Sequence, residues 1–262
     1  MSLKDLTIVI TGSARGIGAA TASMAAARGA NVVVSDINDE AGEEAVAKIL
    51  DSGGNAIYAH CDVSSESEVT ALMKTAAGKF GGIDVLHNNA GIHERMVSAD
   101  YTFESMSVET FNRVMNINVG GAFMCAKAAL PYLKLSARSP SVINAGSTAS
   151  YVAFPSGLAY GTSKGALAQF TKNLAVALAP YGIRSNCYCP SSVDTDMVRD
   201  VVAGAMASPI DTHLVRRIGE PEDVAELVCF LASDQSSFVN GVTWLIDGGA
   251  LAWRYTLSSL GM

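Results

Sequence analysis

Thr7 to Thr11 is a short β-branched, apolar run that breaks at once into Thr11-Gly12-Ser13-Ala14-Arg15-Gly16-Ile17-Gly18. An alanine-rich segment from Ile17 to Arg28 follows, and Gly29 closes it. Strand, glycine turn and helix in this order constrain the fold strongly. Gly12, Gly16 and Gly18 permit a sharp turn and let the helix lie close on its strand. The same order then repeats. Asn31 to Ser35 ends at Asp36 and leads into a helical pattern over Asp39 to Leu50, stopped by Gly53-Gly54. A strand near Ala56 to His60 precedes a helix from about Ser65 to Phe80, with Ser65 and Glu68 spaced as a capping box. Beyond it the pattern predicts strands over Val85 to Asn88, Ser141 to Asn144, Arg184 to Cys189 and Val242 to Ile246. Helices are predicted around Val108 to Met115, Val119 to Leu135, Leu158 to Ala179 and Pro221 to Leu231.

Strands alternating with helices throughout imply an α/β fold. The expected architecture is a single-domain, Rossmann-type, doubly wound parallel sheet of about seven strands with helices on both faces. With 262 residues, 49% hydrophobic and 16% charged, the chain can bury the core such a sheet needs. No repeat or linker divides it, so residues 1–250 are expected to form one domain. The segment 191–217 follows the carboxyl end of a strand, where open α/β sheets bind ligands, and reads as a lid. The tail, 251–262, holds Trp253 and Tyr255 but shows no clear periodicity; packing on a neighbouring subunit is one option for it.

The formal net charge of −7 argues against nucleic acid or an anionic membrane as partner. No apolar stretch is long enough to span a bilayer, and the first six residues are too short and polar for a signal peptide. A cytoplasmic protein with reduced thiols is expected. Its five cysteines are Cys61, Cys125, Cys187, Cys189 and Cys229, and neither they nor the four histidines show ligand spacing, so no bound metal is expected. Cys187 and Cys189 are read as facing opposite sides of their strand.

A glycine turn opening a helix points backbone N–H groups at an anion, which suits the pyrophosphate of a redox dinucleotide. The alternative is a glycine turn that holds nothing. Asp36 stands at the end of the second strand, about 20 residues past the glycines, where a carboxylate can accept both ribose hydroxyls and would repel a 2′-phosphate. Ile37 offers no compensating cation, and Arg15 is the only nearby candidate, so NAD is favoured over NADP. Asp36 as a simple turn residue before Asn38 stays open.

Tyr160 and Lys164, in Ala159-Tyr160-Gly161-Thr162-Ser163-Lys164, stand four positions apart on one helix face. There an ammonium could pull the phenol below its usual pKa of about 10 and let it act as a base. With these residues in view, the chain resembles the short-chain dehydrogenase/reductase family over roughly residues 5 to 250. Thr11 to Gly18, including Ser13 and Ile17, resembles its cofactor loop, Asp62-Val63 its adenine contact, and Asn88-Asn89-Ala90-Gly91 its fourth-strand signature. Arg184-Ser185-Asn186 and Asp247-Gly248-Gly249 are similar to further landmarks. The family's usual Pro-Gly stands here as Pro190-Ser191.

The resemblance implies four catalytic residues: Tyr160 as general base or acid, Lys164 tuning it and holding the nicotinamide ribose, Ser147 holding the substrate oxygen, and Asn118 keeping a water beside Lys164 through its backbone carbonyl. It implies cofactor contacts at Asp36, Ile37, Asp62, Val63, Asn89, Ala90, Gly91 and Pro190, with Val193 and Thr195 on the nicotinamide carboxamide. Hydride transfer between NAD and a small secondary alcohol or its ketone is the expected activity. An NADPH-dependent 3-oxoacyl or other ketone reductase and a catalytically silent dinucleotide sensor are the alternatives. The pocket border, Ile92-His93-Glu94-Arg95 and Thr148 to Phe154, reads as largely apolar; His93 or Arg95 either meets an anionic or polar substrate group or, the preferred reading, is an exposed loop cation. Homodimers or homotetramers are expected through the helices Val119 to Leu135 and Leu158 to Ala179.

Overall fold

A computed structural model describes residues 1–202 and 212–253. Seven strands form one sheet: β1 (Thr7–Thr11), β2 (Asn31–Asp36), β3 (Asn55–His60), β4 (Val85–Asn88), β5 (Ser141–Ala145), β6 (Arg184–Pro190) and β7 (Thr243–Ile246). Their spatial order is β3-β2-β1-β4-β5-β6-β7, and every neighbouring pair is parallel. Parallel neighbours require a crossover each time, and the helices supply them. These are α1 (Gly16–Ala27), α2 (Asp39–Asp51), α3 (Glu66–Phe80), α4 (Val108–Met115), α5 (Gly121–Leu133), α6 (Leu158–Leu178), α7 (Asp196–Val202) and α8 (Pro221–Ala232).

The central strands read as continuous apolar runs because both of their faces are covered. Ile8, Ile10, Val32 and Val34 point to one layer, where Ala22 and Ala25 of α1, Ile49 of α2 and Val228 of α8 pack on them. Val9 and Val33 point to the other, against Leu72 of α3, Ala126 of α5 and Leu178 of α6. The order of strands reverses between β1 and β4, so the crevice beyond their carboxyl ends is where this architecture binds a ligand.

Two expectations are refined, and a third, that Cys187 and Cys189 face opposite sides of their strand, is overturned. The predicted helices at Val108 and Val119 are one continuous run, in which a π-turn, Asn116–Gly120, joins α4 to α5. Ser65 caps α3 by accepting from the Glu68 N–H at 3.4 Å, but the Glu68 carboxylate takes the Asp62 N–H at 2.8 Å and leaves the box half formed. Cys187 and Cys189 share a face of β6, since residues two apart on a strand point the same way. Their Sγ atoms lie 4.0 Å apart, and Tyr188 between them enters the opposite layer.

The start of the expected lid is the short helix α7, while 203–211, including Met206, lie outside the described residues. The tail is described to Trp253, whose indole N–H donates to the Thr212 carbonyl at 3.2 Å; 254–262, with Tyr255, lie outside. Among the described residues no helix is long and apolar enough to cross a membrane, and all five cysteines are buried and free.

Candidate active site

At the carboxyl end of β1 the chain turns with Gly12 and Gly16 in the left-handed region, φ +61° and +55°. A Cβ on Gly12 would stand 2.7 Å from the Ala90 Cα, and one on Gly18 would stand 2.5 Å from the Gly12 carbonyl oxygen. Both contacts are with backbone, so no side chain could be accommodated. Ser13 is sealed in the turn: its hydroxyl donates to the Ile10 carbonyl at 2.7 Å and accepts from the Ser35 N–H at 2.9 Å. Asn89 braces the turn from β4, its amide donating to the carbonyls of Thr11 (3.0 Å) and Gly12 (2.7 Å). The N–H groups of Asn89 and Ala90 both reach the Thr11 hydroxyl at 3.2 Å.

This bracing presents the N-terminus of α1 with no side-chain cap at Arg15 and no acidic residue in its first turn, whereas Asn38, Ser65 and Ser107 cap α2, α3 and α4. Its first N–H groups are therefore free to meet an anion. The Asp36 carboxylate stands beside the turn, accepting from the Ala14 N–H at 3.1 Å and the Asn38 N–H at 3.1 Å. Ile37 next to it is 67% exposed and uncharged. Arg15 reaches sideways toward Asp196 at 3.8 Å.

Asp62 accepts from the N–H and hydroxyl of Ser64, and Val63 packs under Gly121 of α5, so both have local roles. Across the crevice, Pro190 ends β6 and Val193 bridges to Gly219. Thr195 touches the glycine turn, its Cγ2 lying 3.2 Å from where a Gly16 Cβ would be. Ser191, standing where the family places glycine, holds His213 through a 2.6 Å hydrogen bond to Nε2. That hydroxyl ties the two flanks of the 191–217 segment together.

Ser147, Tyr160, Lys164 and Asn118 converge beside this crevice from the turn after β5, from α6 and from the π-turn. Asn118 is buried and spends its side chain structurally, accepting from the Ile92 N–H (2.8 Å) and donating to the Ile92 carbonyl (3.0 Å) and Ser163 (2.9 Å). Gly91 packs between it and Lys164: a Cβ there would lie 3.3 Å from Asn118 Oδ1 and 3.4 Å from Lys164 Nζ. Lys164 Nζ donates to the Ala145 carbonyl at 2.6 Å and stands 5.4 Å from the centre of the Tyr160 ring.

The electrostatics correct the simple pairing of ammonium and phenol. Burial pushes the Tyr160 phenol up to about 12, and the hydrogen bond from Ser147 opposes the rise without cancelling it. Burial likewise brings the Lys164 ammonium down to about 8. Desolvation outweighs attraction because Lys164 is anchored on a carbonyl rather than on the phenol.

Two residues acquire roles their sequence does not reveal. Glu94, with no exposed surface, accepts from the Ala159 N–H (3.1 Å) and the Tyr160 N–H (3.0 Å), so it caps the helix that carries Tyr160. His93 is only 6% exposed and stacks on the Tyr160 ring, with centroids 5.0 Å apart and planes 29° apart, which corrects its reading as a solvated cation. A cavity of about 700 Å³ between α1, α2 and the start of α7 touches Arg15, Gly16 and Thr195 and none of the four converging residues.

Comparisons with known proteins place the chain among dehydrogenases and reductases. A family profile described as enoyl-(acyl carrier protein) reductase matches residues 12–250. The cis-4-hydroxycyclohexanecarboxylate dehydrogenase of Sinomonas cyclohexanicum is 38% identical over 93% of this chain and 96% of its own. The 2,5-dichloro-2,5-cyclohexadiene-1,4-diol dehydrogenase of Sphingobium indicum is 38% identical over 95% and 98%. A crystal structure of a dehydrogenase/reductase from Sinorhizobium meliloti 1021 superposes with a TM-score of 0.85 at 32% identity, covering 95% of this chain and 96% of that one.

Proposed function

The chain belongs to the short-chain dehydrogenase/reductase family, and from that premise we propose that it is an NAD-dependent dehydrogenase of a ring-bearing secondary alcohol. The observation that carries the reading is the convergence of Tyr160, Ser147, Lys164 and Asn118 at the strand-order switch, beside an uncapped helix N-terminus. The residues fit a dinucleotide: the crowded Gly12 and Gly18 bring backbone close, α1 offers free N–H groups to a pyrophosphate, and Asp36 is placed for a ribose diol. When bound, the dinucleotide takes or returns the hydride at its nicotinamide ring.

The chain's own groups handle the proton. Ser147 holds the carbinol oxygen against Tyr160, and the Tyr160 oxygen takes its proton in oxidation and gives it back in ketone reduction. A phenol that burial keeps protonated is ready as an acid, so ionisation for oxidation must come from positive charge at the site. Lys164 supplies part of this, and its low pKa lets it pass a proton outward near neutral pH. Val193 and Thr195 bound the far side of the crevice and would hold the carboxamide, while Asp62 and Val63 border the adenine end.

Asp36 beside the exposed, uncharged Ile37 supports NAD over NADP. Tyr151, Val152 and Phe154 expose apolar surface after Ser147, which suits a carbocyclic substrate. The two curated relatives are named for ring alcohols that carry a second oxygen-bearing substituent. Five free thiols support the cytoplasm as location, and apolar Phe123 of α5 and Val176 of α6, 52% and 76% exposed, support a homodimer or homotetramer. The matching profile's description favours a second reading, a reductase of acyl thioesters, and Asp36 opposes the NADPH that this reading would use.

The test is a panel of cycloalkanols with NAD or NADP, followed by ketones with the reduced cofactors, read by nicotinamide absorbance. Reduction of NAD with kcat/KM at least about tenfold above that for NADP supports the proposal. A preference for NADPH and acyl thioesters would replace it.

A further inference from the structure

We propose that His93 is a substrate-binding residue whose Nε2–H donates to a second oxygen on the ring-bearing alcohol, and so selects oxygen-substituted substrates over simple cycloalkanols. The inference rests on the dehydrogenase reading and deepens it. Its first support is placement: the imidazole follows β4, is 6% exposed, and lies face to face with the Tyr160 ring at 5.0 Å. Whatever sits against the phenol sits beside this imidazole.

The second support is the hydrogen-bond accounting. The Arg95 N–H donates to Nδ1 at 3.2 Å, which makes Nδ1 an acceptor and leaves the proton of the neutral ring on Nε2. Burial favours that neutral ring; Glu94 opposes the effect and Arg95 reinforces it. Glu94 Oε2 lies 3.5 Å from Nδ1, but both Glu94 oxygens are engaged with the α6 amides. Nε2 makes no hydrogen bond among the described residues, and it is not one of the sealed side-chain atoms that lack a partner. It is therefore an unsealed donor on an otherwise buried ring that lies against Tyr160. Such a donor costs free energy when covered by an apolar substrate and recovers it when the substrate brings an acceptor.

The ring's position is also fixed. The Arg95 N–H on one edge, the stacked phenol on one face and the short 3-10 turn Glu94–Met96 that follows all resist rotation. A preorganised donor discriminates between substrates better than a mobile one.

The experiment compares cyclohexane-1,4-diol with cyclohexanol, using NAD and three proteins: wild type, His93→Phe and His93→Gln. Phenylalanine keeps the stack and removes the donor, while glutamine restores an N–H. We expect wild type to favour the diol, His93→Phe to lose about tenfold in kcat/KM for the diol with cyclohexanol within twofold, and His93→Gln to recover part of the loss. Thermal midpoints identify any variant that has simply lost its fold. Equal losses on both alcohols would make His93 a support for Tyr160 alone and overturn the proposal, as would no loss on either. If wild type oxidises no alcohol and reduces no ketone, the dehydrogenase reading itself fails, a result separate from an active enzyme indifferent to His93.

Discussion

Lys164 shows how a residue proposed for the chemistry can oppose folding. Its ammonium is buried on a carbonyl, and its pKa falls from about 10.4 in an unfolded chain to about 8. Below pH 8 both states hold the proton and the folded state bears the whole penalty. Between 8 and 10.4 the unfolded state binds more protons, so stability rises with pH across that window. Lys164→Met should therefore raise the unfolding free energy at pH 7 by about 1–3 kcal/mol in urea titrations while abolishing turnover. A loss of stability would mean that the bond to Ala145 matters more than desolvation. Asp36→Ala should raise the NADP-to-NAD ratio of kcat/KM by about tenfold or more, because it removes the charge that repels a 2′-phosphate. At this scale the sequence offers Tyr160, Lys164, Ser147 and Asn118 as candidates through motif and order, and the fold places them near one another. The stack of His93 on Tyr160 and the cap from Glu94 stay hidden, because their partners are at least 65 residues away and only the folded chain shows both side chains buried.

Helix α6 begins at Leu158 with no side chain of its own capping it, and Glu94 supplies the cap from across the crevice. Glu94→Gln should keep one acceptor yet lose the charge at the helix N-terminus, lowering stability by about 1 kcal/mol. The same carboxylate raises the Tyr160 pKa, so the variant's pH profile for oxidation should shift toward lower pH. An unshifted profile would confine Glu94 to folding. In the glycine turn, Gly18→Ala would drive a Cβ into the Gly12 carbonyl, and NADH titration by fluorescence should show binding weakened by at least about tenfold. The strands are legible before folding because both faces of a parallel sheet are apolar, so each run is continuous and ends sharply at a turn residue. The junction of α4 and α5 is not, since a π-turn inserts one residue into the helical repeat and reads as a break between two helices.

On the scale of the molecule, alternation of elements discloses a doubly wound sheet but not the neighbours of each strand. That β1 lies between β2 and β4 follows only once the crossovers are in place, and it is this order that sets Gly12 against Ala90, one residue from the Gly91 that packs on Lys164. The exposed Phe123 and Val176 lie on α5 and α6, and light scattering at micromolar concentration should report a dimer or tetramer. All of the proposed chemistry converges on a single oxygen atom. Tyr160→Phe removes that atom and leaves the glycine turn, Asp36 and the stack on His93 in place. The decisive measurement pairs turnover of a secondary alcohol with NADH titration in this variant. Oxidation should fall by about a hundredfold or more while NADH affinity stays within about twofold of wild type. A variant that binds NADH and still oxidises the alcohol at a comparable rate would contradict the account.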